Sequence, residues 1–310
     1  MTELKANLDK LLKFLEEENC WVKNFSVNTV GNYRPDDAIW NYKDTPHLNV
    51  VHSLAMGCQA LLSDNHVAAL HTQKIMGIKF PMTLVEYQVA QNELVYFSTI
   101  LLFTVLVNTK VNFFNNQTCV TTTYYLAGPW FTRPIFYFLK KLVLNNYKTL
   151  MSEDIPMRNR KAELRAVGYS FAHDNSEHSW IQSVKIGQNN VIPPLTHRTI
   201  NIDLLGEFGV DGDYLFGDNG IHGFRILKKG DQFTLYPRLC LHEGACLDNQ
   251  KPNDKGVILC PWHARNILPL AVFDINLPKL DLITSNFLIS KNGLKLCVSI
   301  KGGFKDEVQR

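Results

Sequence analysis

The sequence predicts an α+β protein in two parts: a grip-like domain, in which a curved antiparallel sheet is closed by a long helix, followed by a small all-β domain. Three observations predict it. Apolar residues repeat at helical spacing at the N-terminus and again after Gly128-Pro129. Between them, strand-like segments run from His66 to Leu126. From about His173, short strands alternate with frequent turns such as Asp211-Gly212, Asp218-Asn219-Gly220 and Lys291-Asn292-Gly293. The expected boundaries are 1–172 for the grip domain and 173–304 for the all-β domain, with a tail at 305–310.

In chain order, Glu3 to Glu18 reads as an amphipathic helix with Leu8, Leu11, Leu12 and Leu15 on one face. Residues 20–30 alternate like a strand, and GNYRPDD reads as a turn-rich connector. Thr45-Pro46 is a helix start, because Thr can cap and Pro suits the first helical position. The strand run breaks near Gly77, Pro81, Gln91-Asn92 and Asn115-Asn116. Leu94 to Val107 is the most apolar window. It is too short to span a bilayer as a helix, and its Val, Ile, Thr, Tyr and Phe suit a pair of buried strands. Residues 131–165 read as one long helix, with a kink before Pro156 as an option. Such a fold encloses an apolar cavity between sheet and helix.

Composition excludes several classes. Hydrophobic residues make up 45% and charged residues 20%, which rules out intrinsic disorder and collagen-like structure. A net charge of +3 creates no field that argues for nucleic acid or a polybasic membrane anchor. The N-terminus is a charged helix rather than a signal sequence, so a cytoplasmic protein is expected. Seven cysteines without even spacing make metal ligation the live question rather than disulfides.

The strongest signal is CLHEGACLDNQKPNDKGVILCPWH, which holds Cys240-x-His242 and Cys260-x-x-His263. Two thiolates and two imidazoles suit zinc or a [2Fe–2S] cluster. A zinc finger pairs Cys with Cys and His with His. Here each loop contributes one of each, which suits a cluster whose two irons take different ligands. At these residues the chain resembles the Rieske [2Fe–2S] family, over roughly 175–303. Tyr236-Pro237-Arg238, Gly244-Ala245 and Pro261 match as well. Two positions depart from the pattern. Ala264 stands where the family usually has Gly. Trp262 stands where respiratory-type members carry a linking cysteine, which leaves Cys246 as a buried free thiol. The resemblance therefore implies the low-potential type found in oxygenases and Rieske ferredoxins.

The second signal is Asp44-x-x-His47-x-x-x-x-His52. Two His and a carboxylate make the facial triad of non-haem Fe(II) enzymes, with positions left open for dioxygen. Five residues on an ideal helix turn through about 140°, so both imidazoles reach one metal only across a widened turn. Asp44 has a plainer alternative as the cap of the helix that starts at Pro46. Together with the first motif, this one is similar to the D-x-x-H-x4-H of Rieske non-haem iron oxygenases, whose catalytic domain has a helix-grip (START/Bet v 1-like) fold. The resemblance implies His47 and His52 as ligands of a mononuclear Fe(II). It implies Asp154 as the third ligand, with Glu153 as its rival, and Asp44 as the bridge to a cluster histidine of a neighbouring subunit. It also implies a ferredoxin or flavin reductase as electron donor, dioxygen and an apolar or aromatic substrate, and a homo-oligomer, a trimer in the family. The domain order is reversed here, with the grip first.

The remaining residues read as structural. These are Cys20, Cys58, Cys119 and Cys297, the pair His66 and His71, and His173, His178, His197 and His222. Tyr124, Tyr125, Trp130, Phe131, Phe136 and Phe138 read as core. Two functions from different classes follow: an oxidoreductase of the oxygenase type, or a non-catalytic electron-transfer or redox-sensing protein with a lipid- or small-molecule-binding grip.

Overall fold

The computed structural model describes residues 2–62, 66–75, 78–100, 102–174, 189–194, 198–218, 222–284 and 286–300. The chain divides into two compact units, one built on Met1–Ala162 and the other on Glu163–Asn175 with Ile186–Arg310. The 305–310 tail, His178 and His197 lie outside the described residues, as do the side chains of His66, His173 and His222.

The first unit is mixed α+β, with a large antiparallel sheet and a long helix. Helix α1 (Thr2–Glu17) leads into β1 (Cys20–Gly31). Then come helix α2 (Pro35–Lys43), a 3-10 turn (Thr45–Asn49) and the strands β2 (Ala55–Leu62), β3 (His66–Ile75) and β4 (Ile78–Ala90). Strands β5 (Glu93–Ile100), β6 (Phe103–Phe114) and β7 (Gln117–Pro129) complete the sheet. A second 3-10 turn (Trp130–Ile135) enters helix α3 (Phe136–Ala166). The sheet order is β1-β7-β6-β5-β4-β3-β2. β2 to β7 thus form a meander, and β1 adds itself beside β7. Because β1 and β2 end up at opposite edges, the segment between them must cross the sheet. α2 and the first 3-10 turn make that crossing. Ala38 and Ile39 of α2 share a buried cluster with Leu94, Tyr96, Val111 and Val120 of the sheet.

Several sequence expectations need correction. GNYRPDD is not only a connector, since α2 begins inside it. Pro35 opens the helix, Asp36 and Asp37 lie in its first turn, and the Asp37 carboxylate accepts the Arg34 backbone N–H at 3.1 Å. Pro81 does not break a strand. It pairs with Thr72 inside β4, beyond the point where β5 pairs with β4, so the missing N–H is not needed on that side. The long helix starts at Phe136, not 131. Trp130, Phe131 and Phe138 were expected in the core and are exposed at 73%, 58% and 53%. Leu11 is exposed too. Periodicity identifies a face but not whether anything covers it. Among the described residues no helix is long and apolar enough to cross a membrane.

The second unit is a sandwich of two four-stranded antiparallel sheets. Its strands are β8 (Ser170–Phe171), β9 (Val191–Ile192), β10 (Arg198–Asp203), β11 (Gly212–Asp218), β12 (His222–Lys229) and β13 (Gln232–Pro237). They are followed by β14 (Ile258–Leu259), β15 (Asn266–Ile267), β16 (Ala271–Asp274), β17 (Lys279–Thr284), β18 (Phe287–Asn292) and β19 (Lys295–Ile300). One sheet runs β10-β19-β18-β17 and the other β11-β12-β13-β16. Phe224, Phe233 and Leu235 of one meet Ile202, Ile289 and Val298 of the other in a single buried cluster. The cysteine- and histidine-bearing segments project from this frame after β13 and between β14 and β15.

Candidate functional site

In the first unit, α3 presents Tyr147, Met151, Asp154, Arg158 and Lys161 at helical spacing, and all five are buried. The stripe is apolar at its start and charged at its end. Opposite it, the first 3-10 turn and the bend after it carry His47 and His52, exposed at only 2% and 5%. The turn replaces the widened helix that the five-residue spacing demanded. Asn49 Nδ2 fixes its end by donating to the Cys58 carbonyl of β2 at 2.9 Å.

His47 Nε2 and His52 Nε2 lie 2.9 Å apart. Asp154 Oδ1 is 3.4 Å from the first and 3.3 Å from the second. Each imidazole is oriented from behind. His47 Nδ1 donates to the Asp44 carbonyl, which can only accept. His52 Nδ1 lies 2.9 Å from Glu153 Oε2, and Glu153 Oε1 also accepts the Ser53 backbone N–H at 3.2 Å. With both Nδ1 atoms protonated, both Nε2 lone pairs face Asp154. Two lone pairs and a carboxylate at this separation repel unless a cation or proton sits among them. In the bare protein a proton serves. Burial opposes charge on His47, but Asp154 and Asp44 outweigh it and carry its pKa up to about 9. Asp154 is held below the usual carboxylate range against its own burial, by the His47 hydrogen bond first. Among the described residues, His47, His52 and Asp154 form a group whose ligand atoms all lie within 4.8 Å of one another. Donors at right angles about 2.1 Å from one metal stand about 3 Å apart, so this is the spacing of one face of an octahedron.

Asp154 rather than Glu153 joins the group, and Glu153 takes the outer side of His52. Asn41 on α2 donates from Nδ2 to Asp154 Oδ1 at 3.3 Å and accepts Arg158 Nε at 2.8 Å. Arg158 also stands 3.8 Å from Asp154 Oδ2, with its guanidinium over the Tyr42 ring. Sequence reasoning missed both residues. Asn41 lies just before the second motif and Arg158 within the long helix, and neither was singled out. The place of Arg158 one turn after Asp154 was the available signal. Asp44 is 2% exposed, with Oδ2 3.7 Å from His47 Nδ1. Its side chain caps neither neighbouring helix.

His47, His52, Asp154 and Asn41 line one part of a cavity of about 270 Å³ between sheet and helix. Its walls are mostly apolar, including Met82, Leu84, Val105, Val107 and Leu150. His71, expected to be merely structural, lines it as well.

In the second unit two turns match each other. An isolated bridge between Leu239 and Cys246 closes the first, and β14 paired with β15 closes the second. In the first turn Cys240 N–H donates to the Ala245 carbonyl at 2.9 Å, and Gly244 N–H to the Cys240 carbonyl at 2.8 Å. In the second, Cys260 N–H donates to the Arg265 carbonyl at 2.9 Å, and Ala264 N–H to the Cys260 carbonyl at 2.9 Å. Both turns need a left-handed residue at the same place, Gly244 at φ +92° and Ala264 at φ +50°. Cys240 and Cys260 hydrogen-bond to each other, and their sulfurs accept backbone N–H groups from their own turns. His242 and His263 face each other with ring centroids 4.7 Å apart. The two sulfurs are thus neighbours, the two rings meet edge to face, and Cys260 also hydrogen-bonds to His263. Arg238 braces the first turn through two hydrogen bonds to Asp248, at 2.8 and 2.7 Å. Cys246, expected to be buried, is half-exposed.

No protein-family model and no curated protein matches the chain. Among solved structures it is similar to the di-domain ARO/CYC StfQ from the steffimycin biosynthetic pathway, at 11% identity and TM-score 0.42, over 46% of this chain and 52% of that one. It is also similar to the Zhui aromatase/cyclase from Streptomyces sp. R1128, at 10% identity and TM-score 0.41, over 48% and 99%. A third likeness is to a START superfamily protein from Mycobacterium smegmatis, at 12% identity and TM-score 0.36, over 43% and 97%. The chain spans about half the length of the first of these.

Proposed function

We propose that this chain is a Rieske-type iron–sulfur oxidoreductase of the oxygenase class, with a helix-grip catalytic domain followed by a Rieske domain. The observation that carries the reading is the triangle of His47 Nε2, His52 Nε2 and Asp154 Oδ1, with sides of 2.9, 3.4 and 3.3 Å, on the wall of an apolar cavity. These three residues would hold a mononuclear Fe(II). Cys240 and Cys260 would hold one iron of a [2Fe–2S] cluster, and His242 and His263 the other. When bound, the cluster supplies single electrons and the mononuclear iron activates dioxygen.

The remaining work belongs to the chain. Asp44 and Glu153 keep both imidazoles in the tautomer that offers Nε2. Asn41 and Arg158 hold the Asp154 carboxylate in place, so that one oxygen faces the histidines. The cavity walls exclude water and receive an apolar substrate. In this reading Asp44 would be the bridge through which a cluster histidine of a neighbouring subunit, His242 or His263, communicates with His47. A ferredoxin or flavin reductase is the electron donor in this reading.

Metal analysis tests it. The oxygenase requires three irons per chain, with the reduced-state electron resonance of a Rieske centre, and His47→Ala should leave two. Two irons in the unaltered chain would favour a carrier or sensor without a mononuclear site. One zinc and a colourless protein would sink both. Asp44→Asn should keep all three irons yet slow reoxidation of the reduced cluster by dioxygen when substrate is present. Unchanged reoxidation would remove Asp44 from the mechanism.

A further inference from the structure

Glu86 lies in β4, in the middle of the sheet, and is 1% exposed. It lines the same cavity as His47, His52 and Asp154. Neither of its carboxyl oxygens has a hydrogen-bond partner. A carboxyl group buried without a partner is among the more unfavourable arrangements a core can contain. Its neighbours are committed elsewhere. Tyr96, directly across on β5, donates its hydroxyl to Thr109 at 3.3 Å, and Thr109 is 3.3 Å from Thr122. Lys43, whose charge reaches Glu86, directs its ammonium to Gln88. Further along the cavity wall, Ser98 also keeps a buried hydroxyl without a partner. Among the described residues, Glu86 is the carboxyl group on this apolar cavity whose oxygens have no hydrogen-bond partner, whereas Asp154 has the histidines and Asn41.

We propose that Glu86 recognises the substrate, and that the substrate is an uncharged, largely apolar molecule carrying a hydroxyl or carbonyl oxygen that hydrogen-bonds to the Glu86 carboxyl group. This deepens the oxygenase reading and rests on it for the claim that the cavity's occupant is the substrate. Burial pushes the Glu86 carboxyl up to about 8, against the pull of Lys43. A neutral acid both donates and accepts, so it serves a hydroxyl or a carbonyl, whereas an ammonium group would need the anion.

Three probes of similar shape separate the possibilities: naphthalene, 2-naphthol and 2-naphthylmethylamine, titrated by calorimetry into the full chain. The expected result is 2-naphthol bound about tenfold more tightly than naphthalene, the increment of one buried hydrogen bond that meets an otherwise unpartnered group. Glu86→Gln should keep a preference, because the amide also donates and accepts. Glu86→Leu should erase it while still binding naphthalene. Equal affinities, tightest binding of the amine, binding of none of the three, or a preference that survives Glu86→Leu would each overturn the proposal. The comparison in the unaltered chain decides even if Glu86→Leu does not fold. Iron is counted on the same samples. Selectivity without a third iron removes the oxygenase reading and leaves Glu86 as a recognition residue, and a third iron without selectivity does the reverse.

Discussion

The turns at Cys240–Ala245 and Cys260–Arg265 position their donors by backbone, whereas the His47–His52–Asp154 group is positioned by side chains. Each turn closes on its own hydrogen bonds, and its cysteine and histidine stand within a few residues of one another. The triad joins a 3-10 turn to a helix more than a hundred residues later, and Asn41, Glu153 and Arg158 hold the join. A site built from turns is a local object that a spacing pattern can encode. A site built from side-chain hydrogen bonds depends on the whole unit having folded first. The two should therefore fail in different ways when residues are changed.

The largest expected effect is at the turns. Cys260→Ser should abolish the proposed cluster, and with it the two irons and red-brown colour that this reading requires, because serine is a poor ligand for iron. The second unit should also lose local order, since metal binding contributes to folding where a small loop-rich site closes on it. Visible absorbance and hydrogen exchange at Ile258–Ile267 check this. A coloured Cys260→Ser protein with unchanged exchange would break the comparison, because the turns would then owe nothing to the cluster.

A middle-sized effect is expected at the triad. Glu153→Gln keeps an acceptor for His52 Nδ1–H but removes the negative charge behind the imidazole. Binding of the proposed mononuclear iron should weaken by about 10–100-fold, the usual effect of altering a group that orients a ligand. Chelator competition measures this, with circular dichroism to show that the fold is intact. Equal affinity would mean that the packing of the bend, and not Glu153, holds His52 in place.

The same contrast explains what was legible in the sequence. Cys240, His242, Cys260 and His263 stood out because turn geometry maps onto short spacing. His47 and His52 stood out only as a pair, and Asp154 only through the resemblance. Nothing in periodicity distinguishes a buried Asp154 or Arg158 from a solvated helix face, because the burial is created by α2 crossing the sheet. That crossing was itself hidden while 31–37 read as a connector. β1 and the strands from β3 to β7 were legible because strand composition and alternation are local properties, whereas β2 lay before the expected run and was missed. Trp130, Phe131 and Phe138 were misjudged for the opposite reason, since what covers a hydrophobic face is not written in the face. Glu86 did leave a signal that was passed over: it continues the register of Phe80, Met82 and Leu84, placing a carboxylate on the otherwise apolar face of its strand.

The smallest effect is the most specific to the comparison, because it concerns backbone alone. Gly244 and Ala264 occupy equivalent places, and both are left-handed, at φ +92° and +50°. That conformation costs an alanine about 1–2 kcal/mol and glycine essentially nothing. Ala264 is exposed, so nothing but this strain opposes it there. Ala264→Gly should therefore stabilise the protein by about 1 kcal/mol, or about 2–4 °C in thermal midpoint. The reciprocal change has the opposite sign. A Cβ on Gly244 would lie 2.6 Å from Leu164 Cδ1 and 3.5 Å from Phe171 Cε1, and both residues belong to a buried cluster. Gly244→Ala should destabilise by about 1–3 kcal/mol from overpacking, in addition to the backbone strain. Scanning calorimetry of the two variants measures both. Shifts of the same sign would show that the turns are not equivalent, and that the first is shaped by what packs behind it rather than by its own hydrogen bonds.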